Sequence, residues 1–346
     1  MSEKVTIRQI AEECGVSVSA VSIALNNKPG VSDEIRAKIK NAAKKAGYIV
    51  KTGSLNVHHE RLNTLGLLVK TEPDLLPLSN PFYSRVIAGV DEACKDLGLN
   101  LLFSMLPVDE HNRPQKLPPF IQDNMVDGFL MVGAFLDETI STILEEWTVP
   151  IVLVDGYSDT DRYDMVVSDN FGASYQAVEY LIGKGHRHIA MIGGEPDCYP
   201  SLRDRRNGYT RAIKENGLGN HLYYANFNIT KSRGEVEVSE LLKNNPQITA
   251  LFAINDNVAV SAIQIIQTMG LRVPENISVV GFDDTVLATT VTPKLTTMQV
   301  DTIAMGQGAA HLVSLRMHRP DAKRVTLVVH PQLVERESVA EPWVRE

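Results

Sequence analysis

The sequence predicts an all-α module of three short helices at the N-terminus, followed by an α/β body built as two similar lobes of parallel strands. Three observations predict it. Residues 5–48 set their apolar side chains at helical spacing. From Leu65 onward, unbroken Val/Ile/Leu runs alternate with helical segments, which is how parallel strands covered on both faces read. Residues 126–156 and 248–284 share one plan of strand, helix, proline and strand, and the last strand of each closes on a carboxylate, Asp155 or Asp283.

In the first module, Thr6 and Gln9 have the spacing of a capping box, and Ile7, Ile10, Ala11 and Cys14 share one helical face. Gly15 supplies the left-handed stop, Val16 plugs the turn and Ser17 caps a second helix. On that helix Val21, Ala24 and Leu25 face inward, leaving Val18, Ser19, Ser22, Ile23 and Asn26 outside. A helix this short with an uncharged outer face needs a partner, and the joint has the composition of a helix-turn-helix that enters the major groove of DNA. The plain alternative is a three-helix bundle facing solvent. Charge separates the two readings. Residues 1–62 carry ten Lys or Arg against six Asp or Glu, a net of +4, while the rest carries 24 against 36, a net of −12. A basic module on an acidic body suits phosphate binding.

The module spans residues 1–49 and a polar linker covers 50–63, before the body at 64–340. In the body, strands are expected at 65–69, 99–105, 126–132, 150–156, 188–194, 222–227, 248–255 and 277–284. Helices are expected at 82–97, 137–147, 171–183, 203–216, 232–243 and 256–269, and a last helix at 302–317 with a strand near VTLVVH returns to complete the halves. The first lobe takes about 64–168 and 299–325, the second about 169–298 and 326–340. In such sheets ligands bind beyond the carboxyl ends of the strands, so Asp155 and Asp283, which close equivalent strands, should point into the cleft between the lobes.

Other chemistry is thin. The 346-residue chain has no stretch of about 18 apolar residues and begins MSEKVTIRQ, without a hydrophobic leader core, so a cytoplasmic chain with no membrane span is expected. Cys14, Cys94 and Cys198 are widely spaced and odd in number, which suits small buried residues in a reducing compartment. Phosphate-loop, dinucleotide and serine-hydrolase motifs are missing, so neither an enzyme nor a cofactor is expected. His186 and His188 lack a third ligand at metal-binding spacing, and a structural role is favoured.

The module's residues resemble the headpiece of the lactose-repressor/galactose-repressor (LacI/GalR) family of bacterial transcription regulators. The resemblance rests on Thr6-Ile7, Ile10-Ala11, Gly15-Val16-Ser17, Val21-Ser22, Leu25-Asn26, Val31-Ser32, Glu34, Arg36 and Gly47-Tyr48. It implies a helix-turn-helix headpiece plus a two-lobed effector domain like the periplasmic sugar-binding proteins, with two Rossmann-like subdomains. It further implies a ligand-responsive repressor acting on double-stranded operator DNA as a homodimer or larger oligomer. Base contacts would fall to Val18, Ser19 and Ile23, with Ser17, Ser22 and Asn26 nearer the phosphates. Thr6, Ile7, Val31, Ser32, Leu55 and Val57 complete the implied DNA-contacting set. In the body, Asn80-Pro81-Phe82-Tyr83, Arg205 three before Gly208, Asn255-Asp256 and Asp283 fall on the family's effector positions. Phe82, Tyr83, Arg205, Asn255 and Asp283 are therefore the implied effector contacts, Asp155 joins them from the duplicated strand ends, and Asp256 reads as a helix cap. A sugar or sugar phosphate is favoured as effector and a purine-like base comes second. The linker departs from the family: it lacks the proline and alanine of Y-x-P-N-x-x-A-R-x-L, gains Gly53, and has Val57 where the minor-groove leucine stands, with Leu55 two residues earlier. A weaker DNA-dependent hinge is expected. The rival reading is a cytoplasmic small-molecule-binding protein or enzyme that uses the two-lobed body.

Overall fold

A computed structural model of the chain describes residues 6–25, 30–45, 63–71, 80–118, 125–144, 149–229, 232–319 and 321–343. The chain forms two units, Met1–Arg61 and Leu62–Glu346. In the first, α1 (Ile7–Cys14), α2 (Val18–Leu25) and α3 (Asp33–Lys45) close around Ile10, Cys14, Val21, Leu25 and Ile39. Thr6 and Gln9 cap α1 reciprocally, and Gly15 leaves the helix at φ 65°. The N–H groups of Gly15 and Val16 then return to the carbonyls of Glu12 and Ala11. Ser17 Oγ accepts from the Ala20 N–H at 3.1 Å and starts α2. Two cations of α3 are used inside the module. Arg36 donates to the Ile23 and Ala24 carbonyls, and Lys38 Nζ to the Cys14 carbonyl, so the C-termini of both earlier helices are satisfied.

The second unit opens with β1 (Thr64–Thr71), α4 (Pro81–Leu97), β2 (Asn100–Pro107), β3 (Gly128–Val132) and β4 (Phe135–Leu136). It continues with α5 (Glu138–Leu144), β5 (Ile151–Val154), β6 (Tyr157–Ser158), β7 (Asp164–Ser168), α6 (Asn170–Gly183), β8 (Ile189–Ile192) and α7 (Pro200–Glu215). Next come β9 (Tyr223–Ala225), α8 (Glu235–Asn244), β10 (Ala250–Ala253), α9 (Asp256–Thr268), β11 (Ser278–Asp283) and α10 (Val286–Thr290). The chain ends with β12 (Thr296–Gln299), α11 (Thr302–His318), β13 (Thr326–Val329) and β14 (Gln332–Val334). One sheet has the order β13-β7-β5-β3-β1-β2 and the other β14-β12-β11-β10-β8-β9, while β4 and β6 form a separate pair. Within the two large sheets every pairing is parallel except β12 with β14. The duplicated segments are β3-α5-β5 and β10-α9-β11, and they hold the same places in the two orders.

The chain passes between the lobes after β7, after β12 and after β13. This corrects the lobe boundary read from sequence, which gave residues 326–340 to the second lobe. Strand β13 pairs with β7 of the first, Thr326 opposite Met165 and Val329 opposite Ser168. The reason is a buried clamp. Asp164 on β7 binds the Arg316 guanidinium of α11 and accepts from the Val325 N–H at 2.7 Å, which delivers the returning chain to the edge of β7. Only from β14 onward does the chain belong to the second lobe, where Ser338 and Ala340 bond to Val279 and Ser278. His186 is buried beneath this segment, its ring nitrogens facing Thr249 Oγ1 (2.8 Å) and the Ala340 carbonyl (3.0 Å).

Candidate functional site

The ends of β5 and β11 turn sharply. Asp155 has φ 44°, Asp283 φ 103° and Asp284 φ 55°, left-handed conformations that Asp tolerates better than most side chains. Beside them α7 presents Arg205. Its neighbour one turn on, Gly208, faces the Phe171 carbonyl so closely that a Cβ there would lie 2.3 Å from it, so only glycine lets α7 settle on α6. Arg205 is buried and every nitrogen is engaged: Nε with Asn170 Oδ1 (2.8 Å), Nη1 with the Ile254 carbonyl (2.8 Å) and Nη2 with Asp283 Oδ1 (2.9 Å). Its guanidinium plane also sits 3.7 Å from the Phe282 ring centroid. Burial pushes the Asp283 carboxyl up, and the Arg205 cation pulls it back. Burial likewise raises Asp155 to about 6, against the pull of Arg205 and Lys70. Arg205, Asp283 and Asp155 are thus brought together from both lobes.

The first lobe supplies aromatic walls. Asn80 caps α4, whose first position is Pro81, and so sets Phe82 and Tyr83 at the strand ends. The two rings meet edge to face at 5.5 Å, and the Tyr83 hydroxyl lies 3.5 Å from Asp155 Oδ2. Four further residues converge here that sequence reasoning missed: Lys70, Tyr157, Asn170 and Tyr199. Lys70 ends β1, donates to Asn112 Oδ1 at 2.7 Å, and lies 5.6 and 5.5 Å from the ring centroids of Tyr83 and Tyr199. Gly133, at φ 72°, leaves room for the Lys70 stem and the Tyr83 hydroxyl. A usable signal for Lys70 was its place at the end of the first strand, since strand ends line such clefts.

The structure moves the expected cap by one residue. Asn255, not Asp256, caps α9, its Oδ1 accepting from the Val258 N–H at 2.9 Å. Asn255 remains half-buried beside Arg205's acceptor Ile254. Asp256 is fully buried, and accepts from Thr297 Oγ1 and the Thr285 N–H, both at 2.6 Å. The helix starts at Asp256, as the expected span 256–269 has it, so the cap falls to Asn255 and Asp256 turns into the interior.

On the N-terminal module, Ser17, Val18 and Ser19 are exposed and Ser22 and Ile23 half-buried, forming one outer face of α2; Val18 is 46% exposed. Thr6 and Ser32 are exposed at helix starts. Ile7 and Val31, expected among the DNA contacts, are half-buried and pack against the module core. Asn26, Leu55 and Val57, with the rest of the linker, lie outside the described residues.

Residues 6–50 match the family model for bacterial regulatory proteins of the lacI family, and residues 178–339 that for a periplasmic binding protein-like domain. The ribose operon repressor of Escherichia coli (strain K12) is 30% identical over 335 residues, covering 96% of this chain and 99% of its own. The chain belongs to the LacI family. The HTH-type transcriptional repressor PurR of Aliivibrio fischeri (strain ATCC 700601 / ES114) is 29% identical over 339 residues, covering 97% of this chain and 98% of its own. Among solved structures, the LacI-family fold recurs in the transcriptional regulator CelR–cellobiose complex, with TM-score 0.69, 29% identity, and coverage of 96% and 99%. The Lac repressor dimer bound to operator and an anti-inducer has the same fold at TM-score 0.66 and 23% identity, with coverage of 98% and 100%. Among the described residues no helix is long and apolar enough to cross a membrane.

Proposed function

We infer that this LacI-family chain is a ligand-responsive, DNA-binding transcription repressor whose effector binds between the lobes of the body. The observation that carries the reading is the convergence of Asp155 and Asp283 at strand ends with Arg205 of α7, beside the aromatic rings of Phe82 and Tyr83, in a chain that also holds a helix-turn-helix. Carboxylates, a fixed guanidinium and ring faces suit the hydroxyls and apolar faces of a sugar. The name of the ribose operon repressor and the cellobiose in the CelR complex support that class. With Arg205 already paired to Asp283, a neutral sugar fits more directly than a phosphate. The flat tyrosine faces keep a purine-like base as the second reading. The protein acts as a homodimer or larger oligomer, because one headpiece reads too few base pairs for genomic specificity; a cytoplasmic place and a binding role without catalysis go with this reading.

Two measurements test this. A thermal-shift screen with ribose, cellobiose and purine bases should give stabilisation by one class. Asp283→Asn, which keeps a hydrogen-bond acceptor for Arg205, should weaken that shift at least tenfold in ligand concentration while operator binding holds. A variant that responds at the wild-type concentration defeats the cleft assignment. On the DNA side, replacing Val18, Ser19 and Ile23 together should change the operator selected from a random library. Val18 and Ile23 offer only apolar contacts, such as with thymine methyl groups, so part of the preference should remain as DNA shape.

A further inference from the structure

Tyr199 stands at the N-cap of α7 but makes no capping bond with its side chain. Its phenol hydroxyl instead lies 2.8 Å from the Asp155 carbonyl oxygen and 3.2 Å from that of Ala134, both in the first lobe. The ring meets Tyr157 edge to face at 5.4 Å, and the Lys70 ammonium lies 5.5 Å from its centroid. A residue of the second lobe is therefore seated among groups of the first.

The same helix ties the contact to the rest of the cleft. Pro200 follows at the first helical position, and the Arg203 N–H returns to the Tyr199 carbonyl, so the backbone of Tyr199 moves with α7. Arg205 lies six residues on, about 9 Å along the helix axis. It is locked to the Ile254 carbonyl and Asp283 of the second lobe. One rigid helix thus holds the second lobe by its guanidinium and the first lobe by its phenol. The three chain crossings leave the lobes a pivot, and a pivot alone does not fix how far apart the two cleft walls stand.

We propose that Tyr199 is the positioning residue that sets the spacing between the two halves of the cleft, holding Asp155 of one lobe at a fixed distance from Arg205 and Asp283 of the other. Its value as an effector-site residue rests on the reading of the cleft given above. The spacing itself does not, and it is measured without any effector. Spin labels on an unnatural residue replacing exposed Lys95 in the first lobe and exposed Glu240 in the second report the lobe distance by pulsed electron resonance. The full-length chain is used, diluted with unlabelled protein.

Tyr199→Phe keeps the ring against Tyr157 and removes only the hydroxyl. It should broaden the distance distribution or move it by several ångströms. 4-Aminophenylalanine at 199, which restores a donor, should return it. Tyr180→Phe, which removes a hydroxyl bonded to Glu335 within the second lobe, should leave the distance as it was. As a second readout, the Asp155 carboxyl, followed by carbon NMR, should titrate at lower pH in Tyr199→Phe because its surroundings become wetter. An unchanged distance in Tyr199→Phe overturns the proposal, even with a moved Asp155 midpoint, since Tyr199 would then act on Asp155 only locally. An equal opening in Tyr180→Phe overturns it as well. The expected spacing effect together with a wild-type effector response in Asp283→Asn would leave Tyr199's role standing and remove the effector reading instead.

Discussion

Asp256 shows how one position changes the meaning of a motif. As the second residue of an Asn-Asp step it reads like a cap or a ligand contact, yet its carboxylate is enclosed and bonds to Thr297 and Thr285. Gly281 provides the space, since a Cβ there would lie 2.5 Å from Asp256 Oδ1. By holding the Thr285 N–H, Asp256 steadies the left-handed pair Asp283-Asp284 just before it. Burial, with the nearby Asp283 charge, raises its carboxyl to about 7. In the unfolded chain it ionises near pH 4 (about 3.9). Below that pH both states hold the proton. As pH rises towards 7 only the unfolded chain releases it, so this group's contribution to stability is lost across that window. Asp256→Asn can keep both contacts, with Oδ1 accepting from Thr285 and Nδ2 donating to Thr297 Oγ1. Urea unfolding at pH 5 and 7.5 should show a smaller pH-dependent loss in Asp256→Asn than in wild type. An equal loss in both would mean that Asp256 is not the group responsible. The residual slope should come from Asp155, Asp283 and Asp204, all raised by burial.

At the scale of elements, the first lobe is held by the crossing of α4 and α11. The two helices touch through glycine: a Cβ at Gly89 would lie 2.2 Å from the Ile303 carbonyl, and one at Gly306 2.2 Å from the Val86 carbonyl. Such backbone cannot retreat like the end of a side chain. Gly306→Ala should therefore cost about 1–3 kcal/mol by overpacking, read as a lower denaturant midpoint. Gly270→Ala provides the comparison. It has φ 76° and nothing within 4 Å of the added carbon, so its cost should be the left-handed strain alone, about 1 kcal/mol. If the two variants lose equal stability, the helix crossing is looser than the geometry requires. Gly15 belongs to the second kind, with open space around it at φ 65°. Gly15→Ala should weaken operator binding by loosening the end of α1 while leaving the body's melting transition unchanged.

At the scale of the molecule, the charge division between module and body has a measurable consequence. Arg36 and Lys38 are spent on helix carbonyls, so phosphate contact falls to other cations and to backbone N–H groups at the helix starts. Operator affinity should fall steeply with salt; for roughly four phosphates neutralised, the loss between about 50 and 200 mM is on the order of 100-fold. Filter binding across that range checks it. A flat salt response would point to the module contacting protein instead of DNA.

Features that depend on local periodicity and local chemistry are legible along the chain. The caps at Thr6 and Ser17, the stop at Gly15 and the inward set Val21, Ala24 and Leu25 follow from neighbours within one or two helical turns. The alternation of strands and helices, and the pairing of Asp155 with Asp283 as equivalent strand ends, follow from repeated apolar runs. Three kinds of feature needed the folded chain. Strands β7 and β12 carry a buried Asp164 and the buried pair Thr296 and Thr297, so they lack the apolar signature that marks the others. The lobe that receives β13 was decided by the Asp164–Arg316 clamp, whose partners stand 152 residues apart. Lys70, Tyr157 and Tyr199 joined the cleft because strand ends and a helix start from separate parts of the chain meet there. Short-range patterns record which way a side chain faces on its own element. Which distant group it then meets is set by how the elements pack, and no spacing in the sequence encodes that.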